Sequence, residues 1–221
     1  SDATFTSSLA VQLNLSAVDL LSGVTQVSFS TDNVNWSALE SYEPVKTLTL
    51  SAGDGLKTFY VKYYDGAGNV SLASSKSITL DTSAPLGSIL INNNETATAS
   101  REVTLNLSVD DLSQDLEMRF SVDRGATWTS WESFQSSRQI TLSKKGGIKE
   151  VQYQIRDTVG NTQTLFDTIV YNPILEDGTQ LFYEGDTLVR EVTPLKHEIF
   201  YNPDGSVVRF RYKDGTEIRY S

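Results

Sequence analysis

Val11-Gln12-Leu13-Asn14-Leu15-Ser16 returns 92 residues later as Val103-Thr104-Leu105-Asn106-Leu107-Ser108. The same offset relates Trp36 to Trp128, Leu48-Thr49-Leu50 to Ile140-Thr141-Leu142, and Gly55-Leu56-Lys57 to Gly147-Ile148-Lys149. It also relates Tyr64-Asp65-Gly66-Ala67-Gly68-Asn69 to Arg156-Asp157-Thr158-Val159-Gly160-Asn161. Phe29-Ser30-Thr31-Asp32 and Phe120-Ser121-Val122-Asp123 stand 91 apart, so one residue of turn length changes just ahead of each Trp, where a loop absorbs it. Matches this numerous and this well in register make the chain a tandem repeat.

Within each repeat the apolar residues alternate. Val11, Leu13 and Leu15 do so, as do Val27 and Phe29, then Phe59, Val61 and Tyr63. In the second repeat Met118, Phe120 and Val122, and Val151, Tyr153 and Ile155, follow suit. A period of two is that of a half-buried strand. Ser22-Gly23, Asp54-Gly55, Gly66-Ala67-Gly68-Asn69 and Gly146-Gly147 mark turns. About seven short strands in about 90 residues, with a turn every 8–12, is the pattern of an immunoglobulin-like sandwich. The expected architecture is therefore all-β: repeat one over 1–84, repeat two over 85–172, and a different module over 173–221.

Asp81-Thr82-Ser83-Ala84-Pro85 reads as a short, semi-rigid joint. Beyond it Ile89, Leu90 and Ile91 open the second repeat. The first repeat has no clear counterpart for that strand. Its equivalent would fall before residue 1: either Ala3–Leu9 does the job in a looser way, or the chain begins inside a repeat, and in that case an edge of repeat one is expected to accept a strand from a neighbour.

The C-terminal segment carries Asp177-Gly178, Glu184-Gly185, Asp204-Gly205 and Asp214-Gly215, which are hairpin signals. Strands are expected at about 179–183, 187–192, 198–201, 206–212 and 216–220. A three-residue loop at Lys213-Asp214-Gly215 sets Phe210 opposite Ile218 and Arg211 opposite Glu217. The same rule at Asn202 sets Phe200 opposite Val208. Phe200, Phe210, Tyr212, Ile218 and Tyr220 then form one apolar face, the candidate assembly interface.

Composition removes several functions. There is no Cys and one His, His197, which rules out thiolate chemistry and a multi-histidine metal centre. A net charge of −10 argues against non-specific nucleic-acid binding, and no apolar run is long enough to span a bilayer. The 27 Ser and 23 Thr suit the solvated faces of strands.

The run Asp19-Leu20-Leu21-Ser22-Gly23-Val24, Val27-Ser28-Phe29-Ser30-Thr31-Asp32, Trp36, Gly55-Leu56-Lys57 and Asp65-Gly66-Ala67-Gly68-Asn69 resembles bacterial immunoglobulin-like (fibronectin III-like) repeats of extracellular and cell-surface proteins. The second repeat keeps the pattern except where Gln114-Asp115-Leu116 replaces Ser-Gly-Val. The resemblance covers about 170 residues and implies a stalk, spacer, adhesin module or enzyme appendage. The C-terminal segment loosely resembles Asp-Gly-Thr hairpin repeats.

Candidate sites each have a plainer reading beside them. Trp128, Trp131 and Phe134 could bind a surface polysaccharide, or simply pack locally. Asp65 with Asn69, and Asp157 with Asn161, could hold calcium, with Asp81 as an extra ligand and Asp110, Asp111 and Asp19 as a weaker set. Two oxygens per loop fall short of a calcium shell, and the plainer reading is a side chain capping its own turn. His197 beside Glu198 lacks any accompanying constellation for catalysis. Arg209, Arg211, Lys213 and Arg219 could meet an acidic partner or be merely solvated. The expected function is a non-catalytic, extracellular or surface structural module, a stalk, spacer or self-assembling filament subunit. Its expected partners are other copies or adjacent repeats, and it needs no cofactor unless calcium binds. The competing expectation is an adhesin or carbohydrate-binding module.

Overall fold

The computed structural model describes residues 3–220. Its contacts divide the chain into two units, residues 1–84 with 158–161, and residues 85–157 with 162–221. Among the described residues every regular element is a strand.

The first unit contains β1 (Phe5–Thr6), β2 (Ala10–Asn14), β3 (Val24–Ser30), β4 (Glu40–Ser41), β5 (Val45–Thr49), β6 (Gly55–Asp65) and β7 (Ser74–Leu80). One sheet runs β1-β7-β6-β3-β4 and the other is the pair β2-β5. Leu15, Val27, Phe29 and Val61 are buried between them, flanked by Leu13, Tyr42, Leu48 and Tyr63. These are the residues whose alternation marks the inward faces.

In the second unit, β8 (Leu86–Ile91), β9 (Ala97–Thr98), β10 (Glu102–Asp110), β11 (Glu117–Ser121), β12 (Glu132–Ser133), β13 (Ser137–Thr141), β14 (Gly147–Arg156) and β15 (Thr162–Tyr171) form the sandwich. Its sheets are β13-β10-β8 and β12-β11-β14-β15-β9. Thirteen buried residues make its core, among them Ile91, Leu105, Met118, Tyr153 and Ile155, each without exposed surface. Phe120 and Tyr153 stack across it at 5.6 Å.

Phe5–Thr6 pairs in parallel with β7, and Ala97–Thr98 pairs in the same way with β15. The segment Ala3–Leu9 is therefore the counterpart of Ala97–Thr98. It does not replace the strand Leu86–Ile91, and among the described residues β2 pairs with β5 alone where β10 has two neighbours.

The C-terminal segment is the meander β16 (Gln180–Glu184), β17 (Thr187–Val192), β18 (Glu198–Tyr201), β19 (Val207–Arg211) and β20 (Glu217–Arg219), paired in chain order. Phe210 faces Ile218 and Arg211 faces Glu217, as the three-residue loop requires. The loop at Asn202 is built alike, with Asn202 N–H donating to Ser206 O at 2.8 Å. One expectation fails beyond it. A bulge between Phe200 and Tyr201 leaves Val208 unpaired, so Phe200 faces Arg209. That one-residue slip turns Phe200 to the face opposite Phe210 and Ile218. Every residue of the five strands is half-buried or exposed, so the meander is a single layer without a core of its own.

It is held to the second sandwich at a turn. Ile148 N–H donates to Gly185 O at 3.0 Å and to Asp186 Oδ1 at 3.2 Å. Tyr183 N–H donates to Asn172 Oδ1 at 2.9 Å, and Leu181 N–H to Pro173 O at 2.9 Å. Burial holds the Lys149 ammonium below its usual range, against the opposing pull of Asp186.

Candidate functional site

The aromatic cluster of the second repeat lies on the outer face of the sheet β12-β11-β14-β15-β9. Pairing of Glu117 with Arg156 and Arg119 with Gln154 places two guanidiniums on one face, diagonally across neighbouring strands. Trp131 lies 4.5 Å from Arg119 and 4.1 Å from Arg156, and Trp128 lies 4.9 Å from Arg119. The result is a row Trp128, Arg119, Trp131, Arg156. Both guanidiniums therefore lie over the Trp131 ring. Glu117 closes the end, accepting from Arg156 at 2.6 Å, and Gln154 accepts from Arg119 at 2.6 Å.

Phe134 packs against the core. The three candidate binding aromatics thus divide: Phe134 faces inward, and Trp128 and Trp131 are half-buried in a stack with arginine. A sugar stacking on Trp131 would compete with these two guanidiniums for the ring. The first repeat solves the same problem more simply, with Lys62 over Trp36 at 4.3 Å. Arg119 and Arg156 could not be picked out in the sequence, because nothing local to them reveals the register that unites them.

The Asp turns are closed by their own chain. Asp65 Oδ1 accepts from Ala67 N at 3.0 Å and Asn69 N at 2.7 Å, and Oδ2 accepts from Asn69 Nδ2 at 2.7 Å. These bonds, led by Asn69, hold the Asp65 carboxyl below the usual range. Asp19 takes Ser22 N at 2.7 Å and Gly23 N at 2.9 Å in the same way. Asp157 differs from Asp65 in being buried, and its carboxylate lies within 4.8 Å of that of Asp111. Asn161, which clusters with the first unit, donates its side-chain amide to Asp81 O at 3.0 Å.

Ahead of each Trp, the Phe-Ser-x-Asp stretch forms a second kind of capped turn. Asp32 accepts from Ser30 Oγ, Val34 N, Asn35 N and Asn35 Nδ2. Asp123 accepts from Ser121 Oγ, Thr127 N and Thr127 Oγ1. These donors favour the ionised form and lower the Asp123 pKa to about 2, Thr127 contributing most.

His197 sits edge-on to Phe210 at 5.7 Å and Tyr212 at 5.5 Å, as part of an aromatic cluster. On the opposite face of the meander, Phe182, Arg190, Phe200 and Arg209 lie in one cross-strand row. Arg190 covers Phe182 at 4.0 Å and Arg209 covers Phe200 at 3.8 Å. The basic cluster is paired from within: Glu217 meets Arg209, Arg211 and Arg219, and Glu198 meets Arg190 and Arg211.

The ends of the two sandwiches are specialised in ways the sequence did not announce. Asp54, ahead of β6, accepts from Thr82 N at 2.9 Å, Thr82 Oγ1 at 2.8 Å and Ser83 Oγ at 2.6 Å, strapping the joint to the first repeat. The equivalent residue ahead of β14 is Gly146, where Tyr183 of the meander occupies the space a side chain would need.

The chain matches no protein-family model and no curated protein. Among solved structures it is similar to the fibronectin(III)-like modules of Clostridium thermocellum CbhA, at 12% identity over 78% of this chain and 90% of that one, with a TM-score of 0.40. It is similar to the D00–D0 domain of intimin at 14% identity over 77% and 96%, TM-score 0.38. A tetra-tandem repeat from the extending region of a large adhesion protein aligns at 13% identity over 99% and 63%, TM-score 0.30. The chain itself carries two tandem β-sandwich repeats followed by a β-meander. Among the described residues no helix is long and apolar enough to cross a membrane.

Proposed function

We propose that the chain is a non-catalytic spacer or stalk segment of a bacterial extracellular or cell-surface protein, built to carry tension along a tandem array. One observation carries this reading. In each repeat the short opening strand and the last strand of the sandwich run parallel and side by side. Thr79 N–H donates to Thr4 O at 2.9 Å and Asp81 N–H to Thr6 O at 2.9 Å. In the second repeat Val170 N–H donates to Thr96 O at 3.1 Å and Asn172 N–H to Thr98 O at 2.8 Å. Pulling the two ends of a repeat apart loads such bonds together, in shear, whereas pulling an antiparallel hairpin open breaks them one at a time. The Asp54 strap on Thr82 and Ser83 adds to the hold where the chain leaves the first repeat. Capped turns and arginine-filled aromatic stacks on the outer faces support the same reading, since they stiffen the modules without forming a cleft.

The absence of Cys makes the test direct. Handles attached at Ala3→Cys and Ala84→Cys load the β1–β7 pair in shear. Handles at Ala52→Cys and Ala84→Cys peel β7 from β6. All three alanines are exposed. The first repeat should resist a clearly higher force in the first geometry. Equal forces in both would remove the mechanical reading. The step should release about 80 residues, roughly 28 nm of extended chain, in the first geometry, and about 30 residues, roughly 11 nm, in the second.

A further inference from the structure

The meander builds one small device twice. A hairpin joins Phe182-Tyr183 to Val189-Arg190, and another joins Phe200-Tyr201 to Val208-Arg209. In each, a bulge leaves the valine unpaired and sets the arginine opposite the phenylalanine. A bulge re-aims the side chains beside it. Here it lays Arg190 over Phe182 and Arg209 over Phe200. The two guanidiniums stand two strands apart on one face, roughly 10 Å at the usual strand spacing. They line a groove of about 840 Å³ that crosses the sheet, with Tyr201 and Pro203 in its wall and Glu184 at its rim.

This face is basic in a chain of net charge −10. Arg190, Arg209, Arg211 and Arg219 share it, four of the six cations of residues 173–221, with Glu198 and Glu217 between them. The two carboxylates are unevenly shared. Glu198 accepts from Arg190 at 2.8 Å, and Glu217 accepts from Arg211 at 2.9 Å. Arg209 and Arg219 reach Glu217 only at 3.5 Å and 3.4 Å, and they pair directly across β19 and β20. Like charges directly opposite destabilise a strand pair. A carboxylate placed between these two guanidiniums would accept from both and relieve that opposition.

The spacing selects among anions. An extended peptide repeats its side chains on one side about every 6.8 Å. A nucleic-acid strand carries a charge on every nucleotide, and the overall negative charge opposes so dense a polyanion. A polysaccharide acidic on alternate sugars spaces its charges more widely, and its C–H faces suit walls such as Tyr201 and Pro203. We infer that the groove binds a uronic-acid polysaccharide, acidic on alternate sugars and laid across the strands. Arg190 takes one carboxylate, and the Arg209–Arg219 pair takes the next. The site lies within the meander and does not depend on whether the sandwiches bear tension.

The probe is hyaluronan oligosaccharide, carboxylated on alternate sugars, titrated into the 221-residue chain at low salt. Calorimetry reads binding, and arginine Nε–H chemical shifts locate it. Binding should weaken as salt rises. Arg209→Gln should weaken it about tenfold and Arg219→Gln about fivefold. The Arg219 side chain is 78% exposed, so its variant keeps the test sound if Arg209→Gln disturbs the sheet. Lys196→Gln removes an exposed charge of the same module outside the groove and should change affinity less than about twofold. The proposal is overturned if hyaluronan oligosaccharide does not bind, if a neutral chitin oligosaccharide binds equally, or if Lys196→Gln costs as much as Arg209→Gln. It is also overturned if inorganic sulfate shifts the same arginine signals at the same concentration, which would make this a general anion site. Tighter binding of poly-glutamate in the groove would overturn it too, by making an acidic polypeptide the occupant.

Discussion

The ring of Tyr183 lies against the backbone of Gly146, in the space that a β-carbon on Gly146 would fill. The glycine is there for the neighbour's sake, since at the same place the first repeat has Asp54 and no meander to receive. Gly146→Ala should push Tyr183 out and loosen the meander, at a cost of about 1–3 kcal/mol. Limited proteolysis should then cut within residues 173–221 faster, while the sandwich core stays protected. Tyr183→Ala should loosen the same contact, and combining the two should cost less than their sum. Unchanged proteolysis in Gly146→Ala would mean the contact does not hold the module.

The stacking of Arg119 and Arg156 on Trp131 predicts a structural phenotype. Trp131→Ala removes the ring on which two guanidiniums stack and should destabilise the second repeat by about 2 kcal/mol, read in its denaturant midpoint. Arg119→Ala should red-shift the Trp emission by freeing faces of both Trp128 and Trp131. A wild-type chain that bound polysaccharide through Trp131 would contradict the stacking.

Asp123 sets an acid response. Its pKa is depressed from an ordinary 3.8 to about 2, so the stabilisation it confers is complete above about pH 4. It is lost as pH falls through the folded value near 2. Chemical-shift titration should place the Asp123 midpoint near 2, and Asp123→Asn should flatten the stability profile of this turn over that window. A midpoint at the ordinary value would show that the Ser121 and Thr127 donors do not hold the carboxylate in solution.

Tyr153 is fully buried, and its hydroxyl has no hydrogen-bond partner among the described residues. Burial also pushes its pKa well above the usual phenol value. Tyr153→Phe keeps the ring and its stacking on Phe120 and removes an unsatisfied polar atom. It should stabilise the second repeat by about 1 kcal/mol, measured as a higher unfolding midpoint. A loss of similar size would mean that water or another group satisfies the hydroxyl.

Much of the architecture was legible because it rests on local periodicity and repetition. The alternation of Val103, Leu105 and Leu107 states which face is inward, and the return of the same residues 92 positions later states how often the unit occurs. The loop Lys213-Asp214-Gly215 sets its own register, since turn geometry depends on adjacent residues. The Asp65 and Asn69 pair is readable for the same reason. Phe200 was misplaced because a bulge at Val208 has no local signature: it is decided by how two strands settle against each other.

The chain's own order of residues therefore determined the all-β class, the two repeats, the distinct C-terminal hairpins and the capped turns. Only the tertiary structure decided that Arg119 and Arg156 both stack on Trp131, that Gly146 makes room for Tyr183, and that Val11, Leu13, Phe59, Tyr63 and Ile78 line an open groove. The reason is one of range. Period and turn chemistry act between neighbours along the chain and leave their mark in sequence. Stacking, close approach and the filling of a core depend on residues tens of positions apart, whose meeting is set by strand register and by which strand is present to cover them.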